Sequence, residues 1–277
     1  MALCLWPSVT RAQEGPTLAD IAWQVGPQEG SLGNIATIAV PDGYVFAPRS
    51  EMKKFMTITE NIHTGDEMGV LMPIAEEEQW FVIFEFDEIG YVEDSERDQL
   101  DADRILESIR EGTEAANKER RKRGWQEMHI DGWAVTPNYD VATHNLQWAI
   151  IGSSPSGRTI NHSTRLLGRR GVMSADLVVP PEEHARVTPT YQALLGGHTF
   201  VQGHRYAEFI KGDQVAAVGL TALVAGGAGV ALAKSGFFAK FLKPILIGIL
   251  ALFAAVWRRL LGFLRGLMGR DETIGQG

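Results

Sequence analysis

The sequence predicts an α+β domain, an antiparallel meander with helices packed on it, followed by an apolar, basic tail. Three observations carry this: four strand-like segments at hairpin spacing between residues 129 and 179, a long amphipathic helix just before them, and a 19-residue uncharged run after them. The chain has 277 residues and a net charge of −8. From Asp213 onward it holds seven Lys/Arg against three Asp/Glu, so residues 1–212 carry −12. An acidic globular part of this kind excludes nucleic acid as an expected partner, since that needs a concentrated positive surface.

The opening residues 1–12, MALCLWPSVTRA, match the back half of a secretory leader. Ala2 to Trp6 supply an apolar remnant, and Thr10 and Ala12 are small residues at −3 and −1 of a cleavage site before Gln13. A basic n-region is missing, and an ordinary terminus is the alternative. Cys4 is the one cysteine and lies inside this stretch, so a chain beginning at Gln13 has no thiol for a disulfide, a nucleophile or a metal.

Residues 13–212 form one extracytoplasmic unit without linker or repeat. A strand over Asn34–Val40, a Pro-Asp-Gly turn and a short strand at Tyr44–Ala47 come first. Ser50 is the expected N-cap of a helix over Glu51–Thr59. Trp80–Asp87 puts Trp80, Val82, Phe84 and Phe86 on one face, which predicts a half-buried strand. Leu100–Arg123 is the strongest helix, with Ala102, Ile105, Leu106, Ile109 and Ala116 on one face. Its basic end, KERRKRG, reads as a helix C-terminus stabilised by cations with Gly124 behind it; the other reading is a basic binding patch. The meander strands are His129–Val135, Thr143–Ile151, Thr159–Leu167 and Val172–Val179. A helix over Glu182–Leu195 and a short strand near Thr199–Gln202 close the unit. The layout is similar to PsbP-like folds, at the level of fold alone.

The tail begins with Val215–Ala233, VAAVGLTALVAGGAGVALA, which as a helix measures roughly 28 Å, close to a bilayer's hydrocarbon thickness. A transmembrane helix over 213–234 is therefore expected, with Ala222, Gly226 and Gly229 as small residues permitting close helix packing. Residues 235–277 hold a short apolar segment and an amphipathic helix that sets Trp257 and Leu residues against Arg258, Arg259 and Arg265, a pattern suited to the membrane interface. All seven basic residues beyond Asp213 follow the uncharged run, which places that side in the cytoplasm and residues 13–212 outside it, at the bacterial inner membrane. A two-helix hairpin is the second topology.

Several strings carry a family resemblance: WQVGP (Trp23–Pro27), GYVED (Gly90–Asp94), GWAVTPNYDVATHNLQWA (Gly132–Ala149), INHSTRLLGRRG (Ile160–Gly171) and YAEFIKGDQVA (Tyr206–Ala216). In these the chain resembles the uncharacterised membrane-anchored bacterial proteins grouped as domain of unknown function 2167. The resemblance implies an inner-membrane anchor and a domain outside the cytoplasm, and it implies no established activity. His162 stands where the family pattern suggests an aromatic hydroxyl, and Gln214 where it suggests a lysine.

The densest polar cluster is His129, Asp131, Tyr139, Asp140, His144, Asn161, His162 and Arg165. His144, Asp140 and Arg165 are the catalytic candidates, Trp133, Tyr139 and Asn161 the binding candidates, and Asp131 with His144 the candidate metal ligands. The competing reading is structural: His144 shares a strand face with Leu146, Trp148 and Ile150, and Asp140 turns the chain. His198 and His204 lack a carboxylate partner. The acidic stretches Glu76–Glu78 and Glu93–Asp98 lack calcium-loop spacing and read as solvated faces. No HExxH, GxSxG, P-loop or dinucleotide fingerprint occurs, and no cofactor is expected. The leading expectation is a non-enzymatic binding, sensing or interaction module with the lipid bilayer and an envelope protein as partners. A metal-assisted hydrolase and an organising subunit of a membrane complex are the alternatives.

Overall fold

A computed structural model describes residues 16–225 except 60, 62 and 76. The leader-like residues 1–12, Gly226 and Gly229, Trp257, Arg258, Arg259 and Arg265 lie outside the described residues.

A 3-10 turn at Leu18–Asp20 leads into β1 (Gln24–Val25), β2 (Gln28–Leu32), β3 (Ala36–Val40) and β4 (Tyr44–Pro48). Then follow α1 (Arg49–Ile58), β5 (Glu67–Pro73), β6 (Phe81–Asp87) and α2 (Ala102–Lys122). The meander is β7 (His129–Asp140), β8 (Asn145–Ser154), β9 (Gly157–Leu167) and β10 (Val172–Val179), and the end is α3 (His184–Leu195), β11 (His198–Phe200) and α4 (Leu220–Val224). Eight strands make one antiparallel sheet in the order β1-β4-β5-β6-β10-β9-β8-β7, and β11-β3-β2 make a smaller one. The α+β class and the four-strand meander therefore hold.

The large sheet is covered on both faces. Ile38 and Val40 of the small sheet, with Val187, Tyr191 and Leu194 of α3, pack on Phe46, Val82, Phe84, Ala175 and Leu177. On the opposite face α1 brings Met52, Phe55 and Met56 against Val70, Phe81 and Ile83. Beside it α2 brings Ile105 and Ile109 against Ile130, Trp148 and Ile150. This corrects the expected half-buried strand at Trp80–Asp87: β6 sits between β5 and β10, and Phe81, Ile83 and Glu85 are as buried as Val82 and Phe84. Burial on two faces leaves no hydrophobic alternation to read.

Two helix starts differ from expectation. Pro48, not Ser50, is the N-cap of α1, because β4 runs directly into the helix. Helix α3 begins after Pro180 and Pro181, at His184 rather than Glu182. Helix α2 starts as its chemistry requires, with Asp101 Oδ1 accepting from the Arg104 amide at 3.1 Å. It ends before Gly124 at φ +70°. At its basic end the side chain of Arg120 turns inward, its Nε donating to the Gln126 carbonyl.

After β11 the chain returns along the end of the sheet and is pinned there. The Arg169 guanidinium meets both Asp213 carboxylate oxygens at 2.7 and 2.8 Å. The Tyr91 amide donates to the Gln214 carbonyl and the Ala216 amide to the Tyr91 carbonyl, both at 2.8 Å. Gly90 makes this approach possible: it sits at φ +94°, and a Cβ there would lie 2.6 Å from the Gln214 oxygen. Residues 215–219 are not helical. The helix expected to begin at Val215 begins at Leu220, with Leu220, Val224 and Ala225 buried in the α2 cluster. Among the described residues no helix is long and apolar enough to cross a membrane.

Candidate functional site

The α3 face of the sheet is covered over β4 to β10 but not at its β7–β8 end, and a cleft remains there. Its floor is Asn145 and Gln147 of β8 with Thr164 and Leu166 of β9. One wall is the C-terminal end of α3, with Gln192 and Leu195, joined by His198, Thr199 and Phe200 of β11. The other is the β7–β8 turn, through Asp140, Thr143 and His144, with Arg205 and Tyr206. The cavity volume is about 730 Å³, within the range of small-molecule sites. Gly168 lets the second wall come close, since a Cβ there would lie 2.9 Å from the His204 carbonyl oxygen and 3.0 Å from the Phe200 ring.

Two histidines stand in the cleft lining. His198 is pushed down to about 4 by burial, so it is neutral at neutral pH, and its Nε2 is buried without a hydrogen-bond partner. His144 ends the β7–β8 turn at φ +54°, a left-handed conformation that few side chains adopt. The expectation that it shares a strand face with Leu146, Trp148 and Ile150 is thereby corrected: β8 starts one residue later, at Asn145. The Asp140 carboxylate makes the turn. Oδ1 accepts from the Ala142 amide at 2.8 Å and Oδ2 from the Thr143 hydroxyl at 2.9 Å, and the Ala142 bond in particular lowers its pKa.

Behind His144 lies a stack of rings. Tyr139 hydroxyl donates to Asp94 Oδ2 at 3.1 Å, which leaves His144 Nδ1, also at 3.1 Å, to donate into it. Burial, and then the Asp94 charge, push the Tyr139 phenol up, so it stays protonated. The His144 ring lies 4.4 Å from Tyr206, Tyr206 4.4 Å from Tyr91, and Tyr91 4.1 Å from Phe209. Tyr206 hydroxyl donates to the Val92 carbonyl. The stack of Tyr206 on Tyr91 therefore links the cleft wall to the pinned segment 213–216.

The structure separates the other candidates. Asp131 lies nine residues before Asp140 on β7, roughly 30 Å away, where Ser153 and Arg158 bind its carboxylate, so it shares no site with His144. Arg165 and Asn161 point to the opposite face from the cleft. Arg165 pairs with Asp176 at 3.0 Å and lies over Trp148 at 4.8 Å. Asn161 is 2% exposed, with neither side-chain polar atom bonded. Trp133 Nε1 donates to the Ala102 carbonyl and anchors the start of α2. His162 lies under α3, its Nδ1 3.1 Å from His184 Nε2. Ala222 is half-buried on α4. No group of three metal-binding side chains occurs among the described residues. Sequence reasoning missed Gln147, Gln192, His198 and Arg205 as cleft residues. Gly197 was the available signal, because a Cβ there would lie 2.8 Å from that of Ala39, and its absence lets the chain after α3 lie against β3 with His198 next in line.

The sequence matches the family described as "Protein of unknown function (DUF2167)" over residues 24–257. No curated protein matches it. Among solved structures it is similar to cyanobacterial PsbP (CyanoP) from Synechocystis sp. PCC 6803, at 8% identity and a TM-score of 0.38, over 69% of this chain and 98% of that one. It is also similar to the Ran-binding protein Mog1p of Saccharomyces cerevisiae, at 12% identity and a TM-score of 0.32, over 68% of this chain and all of that one. Likenesses of this size carry no argument about function.

Proposed function

The chain belongs to the DUF2167 family of proteins of unknown function, and on that premise we propose that it is a binding module of the bacterial envelope. In this reading the chain that follows Ala225 tethers it to the inner membrane and the described domain, which holds residues 213–225 in its own packing, lies outside the cytoplasm. Its position is supported by the uncharged run to Ala233, the basic residues that follow it and the leader-like start. The observation that carries the binding reading is the cleft. Gln147, Gln192 and Thr164 line it beside apolar Leu166, Leu195 and Phe200, a mixture that orients a small polar ligand while burying its carbon skeleton. The hydrolase reading has less support, because both Asp140 oxygens are engaged in the turn and His144 bonds Tyr139 instead.

Two measurements test the proposal. In a Cys4→Ser background, an impermeant maleimide applied to intact spheroplasts is expected to label Asp42→Cys, in an exposed turn, but not Ser235→Cys; the reverse pattern overturns the placement. Native mass spectrometry of the full chain against a library of small polar metabolites is expected to retain adducts that the cleft-filling Gln147→Trp removes. Adducts indifferent to that substitution, or none across the library, overturn the binding reading.

A further inference from the structure

Among the described residues, four strands end a sheet and have one side unpaired: β1 and β7 in the large sheet, β2 and β11 in the small one. The cleft takes nothing from β1 or β2 and only Asp140 from β7. Strand β11 differs, because all of its residues, His198, Thr199 and Phe200, line the cleft. Its pairing with β3 decides which backbone groups it offers there. The Ala39 amide donates to the Gly197 carbonyl at 3.1 Å and the Val201 amide to the Ile35 carbonyl at 3.0 Å. Along an antiparallel strand, residues bonded to the partner alternate with residues that face away from it. Gly197, Thr199 and Val201 therefore face β3, and His198 and Phe200 turn their amides and carbonyls to the other side. No residue of β3 lines the cleft, so that other side is the cleft's. The Phe200 carbonyl receives one long contact there, from Arg205 Nε at 3.4 Å. The His198 amide and carbonyl and the Phe200 amide have no partner among the described residues. Such a row of open donors and acceptors is a template for a further strand.

The rest of the lining suits a peptide on that edge. Asn145, Gln147 and Gln192 bring side-chain amides that make no hydrogen bond among the described residues, and an amide donates and accepts as a peptide group does. His198 adds a buried Nε2 without a partner. The ionisable lining groups are Asp140, His144, His198 and Arg205. Asp140 and Arg205 are opposite in charge, His198 is neutral and His144 is bonded to Tyr139, so the lining favours an ion of neither sign. Both ends of β11 are closed. Helix α3 reaches it through Gly196 and Gly197, and the segment with Arg205 and Tyr206 stands at Phe200. Between these walls an added strand of three to four residues, roughly 10–13 Å long, finds partners, and a longer one meets a wall.

We propose that the cleft binds a short free peptide, of about three to four residues, as an added strand on β11. The backbone groups of His198 and Phe200 are its hydrogen-bond partners, and Gln147 and Gln192 meet its side chains. This ligand class rests on the cleft being a site for small polar ligands, as put forward above, and makes that reading specific.

Native mass spectrometry of the full chain in micelles tests this with tetrapeptides of uncharged side chains, each also made with one backbone nitrogen methylated in turn. The unmodified peptides are expected to be retained. Methylation should weaken them at alternate positions, by about fivefold at residue 3 alone or at residues 2 and 4, because only every second amide faces β11. Equal losses at all three positions, or none at any, overturn the strand pairing. On the protein, His198→Pro removes the outward amide, which an edge strand tolerates, and should bind about fivefold more weakly than His198→Ala, which keeps it. Equal binding by these two variants overturns the assignment of that amide, and the methylation series decides should the proline variant not fold. Undiminished retention of the same four residues from the middle of a longer peptide identifies a protein segment as the occupant and overturns the free peptide. If no tetrapeptide is retained while other small polar ligands are, and Gln147→Trp removes them, this proposal falls alone. If nothing is retained, the cleft reading falls with it.

Discussion

At the β1 end of the large sheet the chain covers its strands with methionine and phenylalanine; at the β7 end it uses tyrosines, a histidine and an ion pair. Met52, Phe55, Met56, Met72 and Phe81 form the first cover, a cluster built mainly of apolar side chains. In the second, Tyr139, His144 and Tyr206 each place a ring and a hydrogen bond together, and Arg169 holds Asp213 in a two-point contact. Apolar contacts are non-directional and add up with area, whereas each polar contact is lost with its geometry. The first end is therefore a store of stability, and the second fixes the positions of the cleft and of the chain leading toward the tail.

The largest effect should come from opening the apolar end. Phe55 is fully buried, with its ring 5.4 Å from Phe81 in an edge contact. Phe55→Ala is expected to cost about 3–5 kcal/mol. One continuous sheet joins the two ends, so both should unfold together. Urea unfolding of the full chain in micelles checks this, with Trp80 and Trp148 reporting from different parts of the sheet. Two separate transitions would show that the ends are distinct units and that the contrast above is one between domains.

An effect intermediate for each residue should follow from acid, through two buried histidines. Burial lowers His198 to about 4; for His162, burial comes first and the neighbouring His184 second, against the opposing Asp176 charge, also giving about 4. The unfolded chain, with histidine near 6.5, binds these protons first. Their stabilisation is thus complete above pH 6.5 and is lost as pH falls from there toward 4, by roughly 2–4 kcal/mol for each group. Carboxylates such as Glu78, which Arg186 holds below its ordinary 4.5, act only at lower pH. Midpoints of urea unfolding between pH 7 and 4.5 should therefore fall, and His162→Gln should flatten the slope. An unchanged slope in that variant would show that His162 opens to solvent in the native state.

How much of this was legible depended on whether a residue's neighbours lay close in sequence. The meander and α2 were readable because alternation, helical spacing and the Gly124 stop are local signals. Strand β5 left no such trace: Glu67–Pro73 is buried at every position, and nothing alternates. The small sheet was hidden for another reason, since β3 pairs with β11 from the far side of the sequence. The polar cluster read from the meander was adjacent in the chain but not in space. Strand alternation sent Asn161 and Arg165 to one face and His162 to the other, and strand length carried Asp131 away from His144. His198 was passed over for want of a carboxylate, although what sets it apart is burial without a partner, which only packing reveals.

The smallest effect on stability should come from His144, where two contributions oppose each other. Its φ of +54° is costly for a residue with a Cβ, by about 1–2 kcal/mol, and glycine avoids that cost. Its ring returns a stack on Tyr206 and a bond to Tyr139, each worth about 1 kcal/mol. His144→Gly should therefore be close to neutral, while His144→Ala loses the same contacts and keeps the strain, falling about 1 kcal/mol below the glycine variant. Both should leave the apolar end untouched, yet both remove the ring on which Tyr206 rests. Hydrogen exchange should consequently quicken at the Tyr91 and Ala216 amides in both variants and stay unchanged in α1. If alanine and glycine were equally stable, the turn would have left the left-handed region, and the Asp140 bonds rather than His144 would be what shapes that wall of the cleft.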